Sequence, residues 1–125
     1  MASVEELEGT VWDPPSNDAT PLVRRCHELR RRDVGALAVE ELRTLIGQEI
    51  GLPWLVPIAV DRLDDDPFAS GDLYPGDLFV SLVGVPESYW AQDSPSWLRL
   101  HALAEQLASL GDQAATWLAT TTGGA

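Results

Sequence analysis

Leu42-Arg43-Thr44-Leu45-Ile46-Gly47-Gln48-Glu49-Ile50-Gly51-Leu52-Pro53-Trp54-Leu55-Val56-Pro57 is the stretch whose reading decides the fold. Leu42, Leu45, Ile46 and Ile50 recur at helical period, and Glu40 and Glu41 stand where a helix dipole favours acids. Gly51 is a natural left-handed cap. These signals predict a helix over 39–50. Leu52-Pro53 opens a second, with Leu55, Ile58, Ala59 and Leu63 as core positions. Pro57, four residues after Pro53, is read as sitting where a missing N–H costs little, against ~3 kcal/mol deeper in a helix. Two helices joined at Gly51 form a tight hairpin.

Working outward, Asp64-Asp65-Asp66-Pro67 breaks the second helix, and a loop runs on through Gly71-Asp72-Leu73-Tyr74-Pro75-Gly76-Asp77-Leu78. Leu78-Phe79-Val80-Ser81-Leu82-Val83 is short and apolar, so periodicity leaves strand and buried helix both open over 78–85. Pro75 and the lack of a partner strand favour helix. Pro86 to Trp90 reads as a helical turn. Ser94-Pro95 is a cap-plus-proline start for an amphipathic helix carrying Trp97, Leu100, Leu103, Ala104, Leu107 and Leu110. Gly111 is its expected stop, with room for a short helix through Trp117-Leu118. Toward the N-terminus, Thr20-Pro21 starts a helix over 20–32 with Leu22, Val23, Cys26 and Leu29 on one face. The run Trp12-Asp13-Pro14-Pro15-Ser16-Asn17-Asp18 is loop-forming, with Trp12 able to anchor it. The expectation is an all-α, compact single-domain bundle of five or more helices. It places an N-terminal arm at 1–19, a helical domain at 20–118 and a disordered tail at 119–125.

The chain has 125 residues, enough for one domain with a sizeable core, and a formal net charge of -12. That charge disfavours nucleic acid and favours a basic protein partner. From Asp33 onward there are 14 acids against three arginines. The other five arginines, Arg24, Arg25, Arg30, Arg31 and Arg32, crowd one short stretch and are expected to pair with acids of the same chain rather than with RNA. There is no lysine, hence no phosphate loop, and neither a nucleophile elbow nor a HExxH motif occurs. Cys26 and His27 are helix neighbours pointing about 100° apart, so they form no dyad with each other. Asp64-Asp65-Asp66 lacks the ligand order of a calcium loop, and two distant histidines make no zinc site. The reading is a non-enzyme without cofactor or metal. One cysteine, no signal-like N-terminus and no apolar run of ~20 residues lead to the expectation of a cytoplasmic protein that neither spans nor docks on a membrane.

The central pieces, Leu45-Ile46-Gly47-Gln48, Ile50-Gly51-Leu52-Pro53, Leu55-Val56-Pro57 and Asp72-Leu73-Tyr74-Pro75-Gly76-Asp77-Leu78, resemble the immunity proteins of contact-dependent growth inhibition systems, over roughly residues 20–110. Trp54 and Phe79 are variations on that pattern. The resemblance implies a cytoplasmic antidote that captures the C-terminal toxin domain of a delivered effector, commonly a nuclease, as a monomer or weak homo-oligomer when free. The acidic balance fits a basic toxin independently, through faster encounter. Asp61, Asp64, Asp65, Asp66, Asp72 and Asp77 are the candidate toxin-facing acids, and Tyr74 or Trp90 the candidate aromatic anchor. The competing reading is an acidic helical adaptor or regulatory module unrelated to toxins.

Overall fold

The computed structural model describes residues 2–122. Among these residues seven α-helices follow in order: α1 (Val4–Glu8), α2 (Pro21–Leu29), α3 (Val39–Gly47), α4 (Leu52–Asp65), α5 (Asp77–Val83), α6 (Glu87–Trp90) and α7 (Ser94–Thr122), with a 3-10 turn at Val34–Ala36. Among the described residues there is no strand, only an isolated bridge between Ser3 and Asp33. The all-α expectation holds.

The α3–α4 hairpin is the centre. Leu42, Leu45 and Ile46 of α3 face Leu55, Val56, Ala59, Val60 and Leu63 of α4, all buried. Ile50 and Ile58, expected in the core, are only partly covered. α5 and α2 pack on α3, and α7 packs on α4. Gly51 turns the hairpin at φ +67°, as its left-handed reading requires, and its carbonyl accepts the Leu55 N–H at 2.9 Å. That bond means the ladder is already running before Pro57. The proline therefore deletes a bond to the Pro53 carbonyl, contrary to the reading that its position is nearly free of cost, and burial of its neighbours offsets the loss.

The open segment at 78–85 is helical through Val83. A strand would place Leu78, Val80 and Leu82 on one face. Instead Leu78 and Leu82, one helical turn apart, are fully buried while Val80 and Val83 face outward.

Two further stretches differ from expectation. Within 1–19, Val4–Glu8 is a helix with a capping box: Ser3 Oγ accepts the Glu6 N–H at 3.2 Å and Glu6 returns a bond to the Ser3 N–H. Glu5 N–H donates to the Arg30 carbonyl and Val34 N–H to that of Ala2, both at 3.0 Å, so α1 is tied in and Val4 is fully buried. The five-residue helix escaped notice because one buried valine gives no periodic signal. At the other end α7 runs straight through Gly111, which has no positive φ, and on to Thr122. Its cap is Asp93 rather than Ser94, with Asp93 Oδ1 accepting the Ser96 N–H at 3.2 Å. Of the expected disordered tail, Ala119 to Thr122 are helical and 123–125 lie outside the described residues.

A Cβ on Gly51 would stand 2.9 Å from a Val4 methyl, whereas one on Gly9, also left-handed, would meet nothing within 4 Å. Gly51→Ala is therefore expected to lower stability by about 1–3 kcal/mol in urea unfolding and Gly9→Ala by clearly less. Equal losses would contradict this packing.

Candidate protein-binding surface

The loop from α4 to α5 is built by its own sequence. Tyr74-Pro75-Gly76-Asp77 is a type II turn, with Gly76 at φ 90° ψ 5° and the Asp77 N–H donating to the Tyr74 carbonyl at 3.1 Å. Asp77 then points back into the loop. Its carboxylate accepts the Gly71 N–H at 2.7 Å and the Leu73 N–H at 3.1 Å, with Arg43 Nε 3.9 Å away. Arg43 also binds Glu40, and Glu40 accepts the Asp72 N–H at 2.8 Å. Gly71 lies against α3 so closely that a Cβ would come within 2.8 Å of the Glu40 Cα. Only glycine fits there. The bonded Arg43 guanidinium holds the Glu40 carboxyl below the usual carboxylate range, over the opposing effect of burial, with the Asp72 N–H assisting.

The sequence-selected residues separate into different settings. Asp61 and Asp64 project from α4 and share Arg99 of α7, with Asp61 at 2.7 Å. Asp65, Asp66 and Asp72 are exposed; Asp66 also accepts the Phe68 N–H at 3.0 Å. Tyr74 is half exposed on the same loop. Asp77 is 2% exposed and its carboxylate serves the loop backbone. Trp90 stands elsewhere, half-buried against Tyr89 and beside Trp97 in a groove with Phe79 and Val83. Asp64, Asp65, Asp66, Asp72 and Tyr74 thus belong to one connected segment, while Asp77 is internal and Trp90 belongs to α6.

The arginine stretch pairs internally, as its composition suggested. Arg25 and Arg32 both reach the buried Glu41, Arg30 binds Glu8 at 2.6 Å, and Arg31 approaches Glu5 at 3.7 Å. Arg24 donates to the Ser16 and Asn17 carbonyls. The Trp12 ring lies 4.2 Å from the Arg30 guanidinium, anchoring the N-terminal segment. Burial raises the Cys26 thiol above its ordinary value, which suits a packed side chain rather than a nucleophile. No group of three or more His, Cys, Asp or Glu among the described residues is arranged to hold a metal ion.

Sequence reading missed the apolar part of this surface. Phe68, Leu73 and Val80 are exposed near the acidic segment, and Val83 is exposed further along α5. A groove of about 400 Å³ runs between this loop, α5 and α7, lined by Phe68, Pro75, Phe79, Val80, Leu107 and Leu110. The signal was present as Val80 and Val83, three residues apart on the face opposite Leu78 and Leu82.

Exposed acids and an apolar groove thus adjoin on the segment between α4 and α5. Residues 6–100 match the profile of a family described as CDI immunity proteins. The chain belongs to that family. The match takes in the α3–α4 hairpin and the Asp77 clamp, and it ends inside α7 at Leu100. No curated protein and no solved structure matches the chain. No helix among the described residues is long and apolar enough to cross a membrane. As a CDI immunity protein it has a toxin as its implied partner.

Two outcomes follow from the clamp. Asp77→Ala strands two backbone N–H groups and is expected to cost about 1–3 kcal/mol, with faster hydrogen exchange at Gly71 and Leu73. Because Glu40 titrates lower in the folded chain, its contribution is complete above about pH 4.3 and is lost as pH falls through the lower folded value. Urea midpoints measured from pH 6 down to pH 3 should fall, and Glu40→Gln should flatten that fall.

Proposed function

We propose that this chain is a stoichiometric antidote to a basic toxin domain, a nuclease, and that the α4 end and the following loop form its capture face. The observation that carries the proposal is the disposition of charge. Each of the eight arginines is engaged within the chain: Arg24, Arg25, Arg30, Arg31 and Arg32 near the N-terminus, Arg43 with Glu40, Arg62 with the Leu37 carbonyl, and Arg99 with Asp61 and Asp64. None of these arginine contacts goes to Asp65 or Asp66, whereas Asp72 shares the field of Arg43 with Glu40 and Asp77. Asp65 and Asp66 therefore present uncompensated negative charge at the end of α4, beside a loop whose backbone is pinned by Asp77 and Glu40.

Such an edge attracts a basic surface and can raise association toward about 10⁸–10⁹ M⁻¹s⁻¹ at low salt. Retention needs more: sub-nanomolar binding requires over about 12 kcal/mol, supplied by buried anchors. Tyr74 and Leu73, exposed beside the acids, are suited to that part. On a nuclease, the carboxylates would lie along the basic path that receives phosphates. Inhibition is then occlusion, with no bond made or broken.

Co-expression with the toxin domain encoded beside it should keep cells alive and yield an equimolar complex. Association by the wild type should slow steeply with added salt. The triple variant Asp64→Lys, Asp65→Lys, Asp66→Lys should associate about tenfold or more slowly at low salt, with a flatter salt dependence. Unchanged kinetics would remove this loop from the capture face.

A further inference from the structure

Beyond the groove that Leu107 and Leu110 share with the α4–α5 loop, the C-terminal half of α7 is exposed. Leu100 and Leu103 are 7% and 8% exposed, Leu107 is partly covered, and Leu110 and Trp117 are 54% and 64% exposed. These residues belong to one seam. Leu100, Leu103, Leu107, Leu110, Ala114, Trp117 and Thr121 alternate spacings of three and four, the heptad rule of a coiled coil. The body of the protein uses the first part of the seam and leaves the rest bare. The family match also stops at Leu100, so the bare part lies beyond the region shared with the CDI immunity family.

Local preference does not hold this half helical. Residues 108–122 include Gly111, Thr116, Thr120, Thr121 and Thr122, all weaker helix formers than alanine. An isolated helix of about 15 residues is marginal even in an alanine-rich sequence. Its apolar stripe therefore requires a cover. We propose that a second copy of this chain supplies it, in an antiparallel α7–α7 pair centred near Ala114.

Charge selects that occupant and its direction. Between Gln106 and Thr122 the sole charged residue is Asp112, in a chain of net -12. A basic partner gains little on this strip, while a second copy brings only its own Asp112 against it. Parallel packing would set two acidic bodies side by side. Antiparallel packing over about 17 residues, roughly 25 Å of helix, puts them at opposite ends, beyond a Debye length of about 8–10 Å. Shape agrees. In this register Trp117 of each copy falls opposite Gly111 of the other, beside the groove formed by Leu107, Leu110, Phe79 and Val80. No side chain fills the space above Gly111. The pairing is isologous and closes as a twofold dimer. Asp64, Asp65, Asp66 and Asp72 do not line that groove.

Sedimentation equilibrium of the purified full chain tests this, with no toxin present. The wild type should reach twice the mass of one chain as concentration rises through the micromolar range, and added salt should leave association unchanged or tighten it. Trp117→Glu should raise the dissociation constant at least about tenfold. Val11→Glu, placed at an exposed residue far along the chain, controls for added charge and should dimerise like the wild type. In a mixture of Thr121→Cys and Leu107→Cys chains, the mixed disulfide should dominate. A wild type that stays monomeric at high micromolar concentration, or a Trp117→Glu chain that dimerises normally, would overturn the pairing. Predominant self-linking of Thr121→Cys would overturn its direction.

Discussion

The buried carboxylate of Asp77 is the interaction on which the rest of the surface depends. A carboxylate with 2% exposure must be bonded or it destabilises its own fold. Here it accepts two backbone N–H groups of the preceding loop while its own N–H closes the Tyr74 turn. The same residue begins α5, so one side chain fixes both the loop and the helix that packs on α3. Glu40 and Arg43 extend the network to α3, and Gly71 allows the loop to lie flat against it. An apparently acidic hallmark is thus an internal clamp that sets where the truly exposed acids stand.

That division explains how a chain of net -12 can fold and still present a directed field. Most of the arginines pair across α1, α2 and α3, where Glu41 alone joins two of them, while Arg99 of α7 answers Asp61 and Asp64. Self-repulsion is reduced near the N-terminal elements and left standing along the α4–α5 loop. Uncompensated charge on a mobile loop would be smeared by motion. Pinned by Asp77 and Glu40, it has a defined position, which is what steering and orientation of a partner require.

The α3–α4 hairpin was legible because its evidence was redundant: four apolar residues at helical period, acids at the start, and a glycine where the backbone turns left-handed. Leu78 to Val83 was open between two readings, because five apolar residues in six fit either period and only burial of Leu78 and Leu82 separates them. Selecting Asp77 with the surface acids shows the limit of composition: a buried carboxylate and a solvated one are the same letter. The apolar groove was harder still, since Phe68, Pro75, Val80 and Leu110 come together only when three elements are assembled. α1 and the run of α7 past Gly111 were missed for a related reason. One is too short for periodicity, and the other continues through a residue that usually ends helices.

Hydrogen–deuterium exchange of the free chain and of its complex with the toxin domain tests the central claim most directly. The account predicts that binding slows exchange in the last turn of α4 and across residues 66–76, with little change in α2. Protection confined to the arginine-bearing α1–α2 region, with 66–76 unaffected, would contradict it.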